Sequence, residues 1–118
     1  MTLLSMNKKK KSFRWVAVSG GFDPLHIGHV RMFKAARKLG DKLAVIINND
    51  NWLQNKKGFV FMPQDERAEI IRELPFVDRV VFTNHKIQDP DRSVCNELRA
   101  LKPAIFANFI EGGAHAKN

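Results

Sequence analysis

The chain has 118 residues, of which 44% are hydrophobic and 27% are charged, values typical of one soluble globular domain. No apolar run approaches the length of a membrane span and no stretch resembles a secretory signal, so we expect neither. The single cysteine, Cys95, excludes an internal disulfide and suits a reducing compartment. We therefore expect a cytoplasmic protein.

The formal net charge is +8, and half of it comes from the run Lys8-Lys9-Lys10-Lys11. A lysine run near a terminus is typical of a solvated tail, so we interpret residues 1–12 as a disordered basic tail. A targeting patch and a weak contact with nucleic-acid phosphates are the alternatives. Nucleic-acid binding is the least favoured of the possible functions.

A strand, a turn and a helix are predicted next. Residues 14–19 read as a short buried strand, and residues 27–40 carry apolar residues at helical spacing. Gly40 predicts the end of that helix. Gly20 and Gly21 allow a sharp turn and the close approach of a ligand. Such a strand-to-helix turn presents backbone N–H groups and a helix dipole to an anion. The helix residues expected to pack on the sheet are Val30, Phe33, Ala36 and Leu39.

The remaining elements continue the alternation. Residues 42–48 form a nearly continuous apolar run, which predicts a strand buried on both faces of a parallel sheet. A polar loop is predicted over 49–61, helices over 63–74 and 91–101, and strands over 77–82 and 103–107. In the third helix we expect Val94, Cys95, Leu98 and Leu101 to face inward. The order predicts a Rossmann-like α/β fold for residues 13–108, with a mostly parallel sheet of four or five strands and helices on both faces.

The letters His26-Ile27-Gly28-His29, preceded by Gly-Gly-Phe-Asp-Pro, resemble the HxGH signature of the nucleotidylyltransferase superfamily, in the cytidylyltransferase-like family. The resemblance implies that His26 and His29 contact the phosphates of a nucleoside triphosphate during attack on its α-phosphorus. Gly28 would leave room for a phosphate. A plain turn, a metal-binding histidine pair or a chance pair on a helix face are the alternatives. The other predicted nucleotide-binding residues of this stretch are Gly20, Gly21, Phe22 and Asp23.

The segment that follows the second strand contains three candidate residues of the acceptor site. Asp50 lies where many members of the family carry an acidic residue, although Asn49-Asp50 also suits a plain turn. The resemblance implies that Lys56 and Lys57 reach phosphates, with Lys57 in a catalytic role; a solvated basic loop is the alternative. Trp52 is interpreted as packing, and stacking on a base stays open.

Arg67 lies one turn into the second predicted helix, in the stretch Asp65-Glu66-Arg67-Ala68-Glu69. This closely resembles the Glu-Arg helix of the family, whose arginine contacts the nucleotide. A planar guanidinium suits a phosphate or a base edge. The alternative is a surface salt bridge with Glu66 or Glu69, which would contribute little stability.

These residues predict an enzyme that transfers a nucleotidyl group to a phosphorylated small molecule and releases pyrophosphate. The resemblance favours CTP as the donor, with ATP as the alternative, and implies Mg²⁺ as cofactor without a predicted protein metal site. It covers residues 14–108, and residues 109–118 lack the Ser/Thr-rich motif expected there. An atypical or truncated C-terminal tail, with nucleotide binding but little turnover, is therefore a further alternative. Members of the family often form dimers, which these residues do not demonstrate.

Overall fold

The computed structural model describes residues 12–107. The predicted basic tail, apart from its last residue, and the predicted C-terminal tail lie outside the described residues. The strands are β1 (Trp15–Gly20), β2 (Lys42–Ile47), β3 (Arg79–Phe82) and β4 (Ile105–Phe106). The helices are α1 (Ile27–Arg37), α2 (Asp50–Lys57), α3 (Gln64–Arg72) and α4 (Cys95–Leu101). Within this part of the chain, no helix is both long enough and apolar enough to cross a bilayer.

The four strands form one parallel sheet in the order β3-β2-β1-β4. Pairing of β1 with β2 runs from Trp15 opposite Lys42 to Gly20 opposite Ile47. Strands β2 and β3 are added on one side of β1, and β4 is added on the other side. With right-handed crossovers, α1 and α3 cover one face of the sheet and α4 covers the other. The predicted Rossmann-like α/β fold with a parallel sheet is confirmed.

The core lies between the sheet and helices α1 and α3. Alternate residues of β1 and β2 face these helices, because side chains alternate across a strand. The buried cluster is formed by Val16, Val18, Phe22, Phe33, Ala36, Leu43, Val45, Ile47, Ala68 and Ile71. Five of the six residues of β2 and the three residues 16–18 of β1 are buried, so the centre of the sheet is a packed base for the loops that follow its carboxyl ends.

Helix α1 ends earlier than predicted, and Gly40 does not terminate it. The helix stops at Arg37, with Lys38 as a right-handed C-cap. Gly40 instead permits a close approach of two chain segments, since a Cβ atom there would lie 2.7 Å from the carbonyl oxygen of Arg14. Leu39, predicted to pack on the sheet, is 48% exposed because it lies beyond the helix end.

The predicted loop over residues 49–61 is wrong, because α2 occupies most of it. The Asn49 side chain caps this helix by accepting a hydrogen bond from the Trp52 backbone N–H at 2.9 Å. Gly58 ends the helix with a φ of 83°. Leu53 is its only buried residue, so the helix lacks the apolar stripe that reveals helices in a sequence.

Cys95 is exposed, which contradicts its predicted place in the core. Helix α4 begins at Cys95 itself and not at residue 91. The preceding residues form a turn in which the Asp91 carboxylate accepts hydrogen bonds from the backbone and hydroxyl groups of Ser93. This local pairing competes with helix formation and shifts the helix start and its inward face.

Candidate functional site

A cleft of about 400 Å³ opens at the carboxyl ends of β1 and β2. In open parallel sheets this edge is where ligands bind. The cleft is lined by Ser19, Gly20, Gly21, Phe22, Asp23, Pro24, His26, His29, Met32, Trp52, Leu53, Lys56 and Lys57. It brings together most of the predicted site residues. Three predicted residues, Gly28, Asp50 and Arg67, are not part of its lining.

The two histidines cap helix α1 reciprocally. His26 is the N-cap residue, and its Nδ1 accepts a hydrogen bond from the backbone N–H of Gly28 at 3.0 Å. The Nδ1 atom of His29 accepts from the backbone N–H of His26 at 3.2 Å. This is a capping box built from two imidazoles, in which each satisfies a helix N–H group that would otherwise lack a partner.

The capping contacts determine the tautomer of both rings. Because each Nδ1 accepts a hydrogen bond, the proton of each neutral imidazole is carried by Nε2 on the opposite edge. The ring centroids of His26 and His29 lie 3.9 Å apart. Two N–H donors are thus held side by side at the start of a helix, where the helix dipole also favours an anion.

The glycines of this loop make room for protein rings. A Cβ atom on Gly28 would lie 2.8 Å from Cε1 of His26. The space beside Gly28, where we expected a phosphate, is therefore occupied by the His26 imidazole. A Cβ on Gly20 would lie 2.8 Å from the Phe22 ring. Phe22 is 4% exposed and meets the His29 ring edge to face, with centroids 5.2 Å apart. The buried Phe22 ring therefore packs against His29 and restricts its orientation.

The charges in the cleft are mostly positive. Asp23 is the only carboxylate among the described lining residues, and it pairs with Lys57 at 3.0 Å. Lys57 also donates to the backbone oxygen of Asp23 at 2.8 Å. The same ammonium lies 4.6 Å from the centroid of the Phe59 ring. The Lys56 ammonium lies 5.4 Å from the centroid of the Trp52 ring. This balance of charge favours an anionic ligand.

Asp23 anchors the segment that precedes α3. Its carboxylate accepts hydrogen bonds from the backbone N–H groups of Phe61 at 2.7 Å and Met62 at 2.5 Å. Burial by itself raises the pKa of Asp23, but these two hydrogen bonds, followed by Lys57, outweigh burial and hold the pKa below the ordinary value of 3.8. The carboxylate is therefore ionised and satisfied by the protein.

We expect Asp23→Asn to destabilise the fold by about 1–3 kcal/mol near neutral pH, since charged hydrogen bonds are lost. A carboxyl whose folded pKa is depressed contributes stability above its unfolded pKa and loses it as pH falls through the folded value. The difference in melting temperature between the two proteins should therefore be constant above pH 5 and shrink below about pH 4. Thermal unfolding between pH 7 and pH 2.5 measures it, with Asp65→Asn, at an exposed position, as the control. A difference that persists at the lowest pH would contradict this assignment.

Arg67 is fully buried beneath the cleft and joins three loops. Its guanidinium donates to the backbone oxygens of Gly21 at 2.6 Å, Asn48 at 2.7 Å and Met62 at 2.8 Å. It also donates to the Asp50 carboxylate at 2.7 Å. The alternative of a surface salt bridge with a residue of its own helix is therefore wrong. The predicted contacts of Arg67 with nucleotide and of Asp50 with substrate stay predictions, and in this structure the two side chains engage each other.

The N-cap residue of α2 and two asparagines within the helix hold the segment 84–93 that follows β3. Asn49 and Asn51 each donate to the His85 backbone oxygen at 2.9 Å, and Asn55 donates to the Lys86 oxygen at 2.9 Å. The sequence suggested a turn at Asn49 and no role for Asn51 or Asn55. The signal that could have revealed them is their repetition within a short polar helix, since such a helix needs partners.

The described residues form no metal-binding cluster of three or more His, Cys, Asp or Glu side chains. The Asp23 carboxylate, the nearest candidate ligand, already accepts three hydrogen bonds or ion-pair contacts. Mg²⁺ in proteins is usually held by one or two carboxylates together with substrate phosphates. Residues 12–107 therefore contain no cluster of side chains that would hold the predicted Mg²⁺ without help from substrate phosphates.

Comparison with known protein families identifies this arrangement. The model of the family described as cytidylyltransferase-like matches residues 17–109, from the third residue of β1 through β4. The chain belongs to the cytidylyltransferase-like family. The matched residues include His26 and His29, which the structure places in the cleft at the start of α1.

Curated relatives in the family include two archaeal FAD synthases. The protein of Pyrococcus abyssi is 38% identical over 93 residues, covering 78% of this chain and 60% of the relative. That of Thermococcus kodakarensis is 41% identical over 106 residues, covering 87% and 70%. A crystal structure of a lipopolysaccharide core biosynthesis protein from Thermoplasma volcanium has a TM-score of 0.70 and 29% identity, covering 80% and 73%. The chain thus spans about three-fifths of the length of the first of these relatives.

Proposed function

We propose that this cleft binds a nucleoside triphosphate and transfers its nucleotidyl group to a phosphorylated acceptor. The observation that carries the proposal is the capping box, which holds two imidazoles with their Nε2 edges away from the helix N–H groups. The described cleft also contains Lys56 and Lys57. Such a site suits the polyphosphate of a nucleotide better than a neutral ligand.

The reaction would proceed in one displacement. An oxygen of the acceptor phosphate attacks the α-phosphorus, a new P–O bond forms, the bond to the bridging β-phosphate oxygen breaks, and pyrophosphate leaves. The acceptor phosphate is ionised at neutral pH, so the site needs no strong general base. Its task is to align the reactants and to neutralise charge on the phosphate oxygens. His26 and His29 would do this by donating from Nε2.

The identity of the donor nucleotide is argued from the relatives. FAD contains an adenylyl group joined to a flavin phosphate, and the two archaeal relatives are FAD synthases. They support ATP as the donor and favour adenylyl transfer over the cytidylyl transfer that the sequence motifs favour. The description of the matching family supports CTP as the second candidate.

Pyrophosphate release by the full 118-residue chain tests the proposal. Each of ATP, CTP, GTP and UTP is offered with Mg²⁺ and one of three acceptors: riboflavin 5′-phosphate, glycerol 3-phosphate or a sugar phosphate. We expect acceptor-dependent pyrophosphate release with ATP. Release with CTP alone would select the second candidate. Calorimetric binding of nucleotide without release would support the binding form with little turnover, and the absence of both would overturn the proposal.

A further inference from the structure

The cleft contains an aromatic side chain, Trp52, that has no role in the proposed phosphate contacts. Trp52, on α2, lines the cleft together with Leu53, and its indole is half-buried. We propose that Trp52 is a stacking platform for a planar heteroaromatic ring of a bound substrate, either the base of the nucleotide or a ring of the acceptor. That the ligand is a nucleotide or an acceptor phosphate rests on the proposed function. That it carries an aromatic ring is inferred from the position of Trp52 in the cleft.

The indole is held in a defined orientation. Its Nε1–H donates to the backbone oxygen of Arg92 at 3.0 Å, which satisfies its only polar group. One edge packs against the loop after β1, since a Cβ on Gly21 would lie 3.4 Å from Cζ3 of the indole. A ring held in place loses little freedom when a ligand stacks on it.

One face of the indole is covered by a long, exposed side chain and not by the core. The Lys56 ammonium lies over that ring, 5.4 Å from its centroid, and Lys56 is exposed. A lysine on a flexible stem can turn from the indole to a phosphate, so an aromatic phosphate ester would engage both Trp52 and Lys56.

The bond from Trp52 holds Arg92, whereas the other side-chain bonds from this region reach only residues 85, 86 and 88 of the segment 84–93. Asn49, Asn51 and Asn55 already attach this segment to α2 through side-chain hydrogen bonds. The backbone N–H of Gln88 adds a further bond to the Asn55 side chain at 2.7 Å. The indole N–H bond is one contact among five, whereas the indole face is the large aromatic surface of the cleft beside the two histidines.

Two variants separate stacking from tethering. Trp52→Phe keeps an aromatic face but loses the bond to Arg92, whereas Trp52→Leu loses both. We expect Trp52→Leu to raise the Kd of the stacked ligand about 10-fold or more and Trp52→Phe to raise it less than about 3-fold. The probes are ATP, riboflavin 5′-phosphate and, as the ligand without a ring, tripolyphosphate. Calorimetry gives each Kd, and thermal unfolding verifies that both variants fold.

Fluorescence provides a second readout that needs no folded Leu variant. In a Trp15→Phe background, Trp52 is the only tryptophan, and a stacked ring should quench its emission. If Trp52→Leu weakens the binding of ATP alone, the stacked ring is the nucleotide base. If it weakens the binding of riboflavin 5′-phosphate alone, the stacked ring belongs to the acceptor. Either result supports the proposal. It is overturned if neither aromatic ligand quenches Trp52, if tripolyphosphate binding weakens equally, or if the Phe variant binds as poorly as the Leu variant. Quenching without pyrophosphate release would contradict the proposed function alone.

Discussion

His26→Asn and His29→Gln should each lower kcat about 100- to 1,000-fold while leaving the melting temperature nearly unchanged. Asparagine is a strong N-cap residue, and glutamine at the third helical position can reach back to the N-cap N–H. Both replacements therefore preserve the capping contacts made by the two Nδ1 atoms. What they remove is the ring with its Nε2 donor, and loss of one positioned donor typically costs this factor in rate.

His26→Ala is the matched comparison, because it removes the cap as well as the donor. We expect a similar loss of kcat together with about 1 kcal/mol of destabilisation. Steady-state pyrophosphate release and thermal unfolding of the three variants make the distinction. If His26→Asn kept wild-type kcat, the imidazole would have only a capping role. If kcat of His26→Ala fell only in proportion to its folded fraction, the imidazole would likewise have only a capping role.

Arg67→Met should destabilise the fold by about 3 kcal/mol or more. Removal of the guanidinium leaves three backbone carbonyl groups without their donor and Asp50 without its partner. Breaking a buried ion pair usually costs about 3–5 kcal/mol. Asp50 is 36% exposed, so water can rehydrate its carboxylate and the expected loss lies at the lower end. Urea unfolding measures the change in free energy.

Arg67→Lys and Arg72→Met are the controls for this prediction. An ammonium is a point charge without the planar fork of a guanidinium, so Arg67→Lys should recover only part of the lost stability. Arg72 is exposed on the same helix, and its substitution should change stability by less than about 0.5 kcal/mol. Equal stability of Arg67→Met and Arg72→Met would contradict a joining role. Because Arg67 binds the oxygen of Gly21, we also expect Arg67→Lys to lower kcat without a matching rise in KM.

The predictable part of the fold is the part whose signal is local. The apolar run of β2 predicts a buried strand, and the helical spacing of Phe33 and Ala36 predicts a helix with one buried face. The structure buries these residues in the core. Helix α2 gave no such signal, since Leu53 is its only buried residue and its stability depends on asparagine contacts with a segment about 30 residues away. Cys95 was misplaced for a related reason, because a turn centred on Asp91 set the helix start.

The sequence by itself determined the fold class and the strand-to-helix turn that carries the two histidines. His26 and His29 are three residues apart, so their reciprocal capping follows from helix geometry once α1 forms. Only the tertiary structure decided the long-range contacts of Asp23, Arg67 and Trp52, whose partners lie 17 to 46 residues away along the chain. Contacts over such separations depend on strand order and on the path of each loop, which no short stretch of sequence encodes.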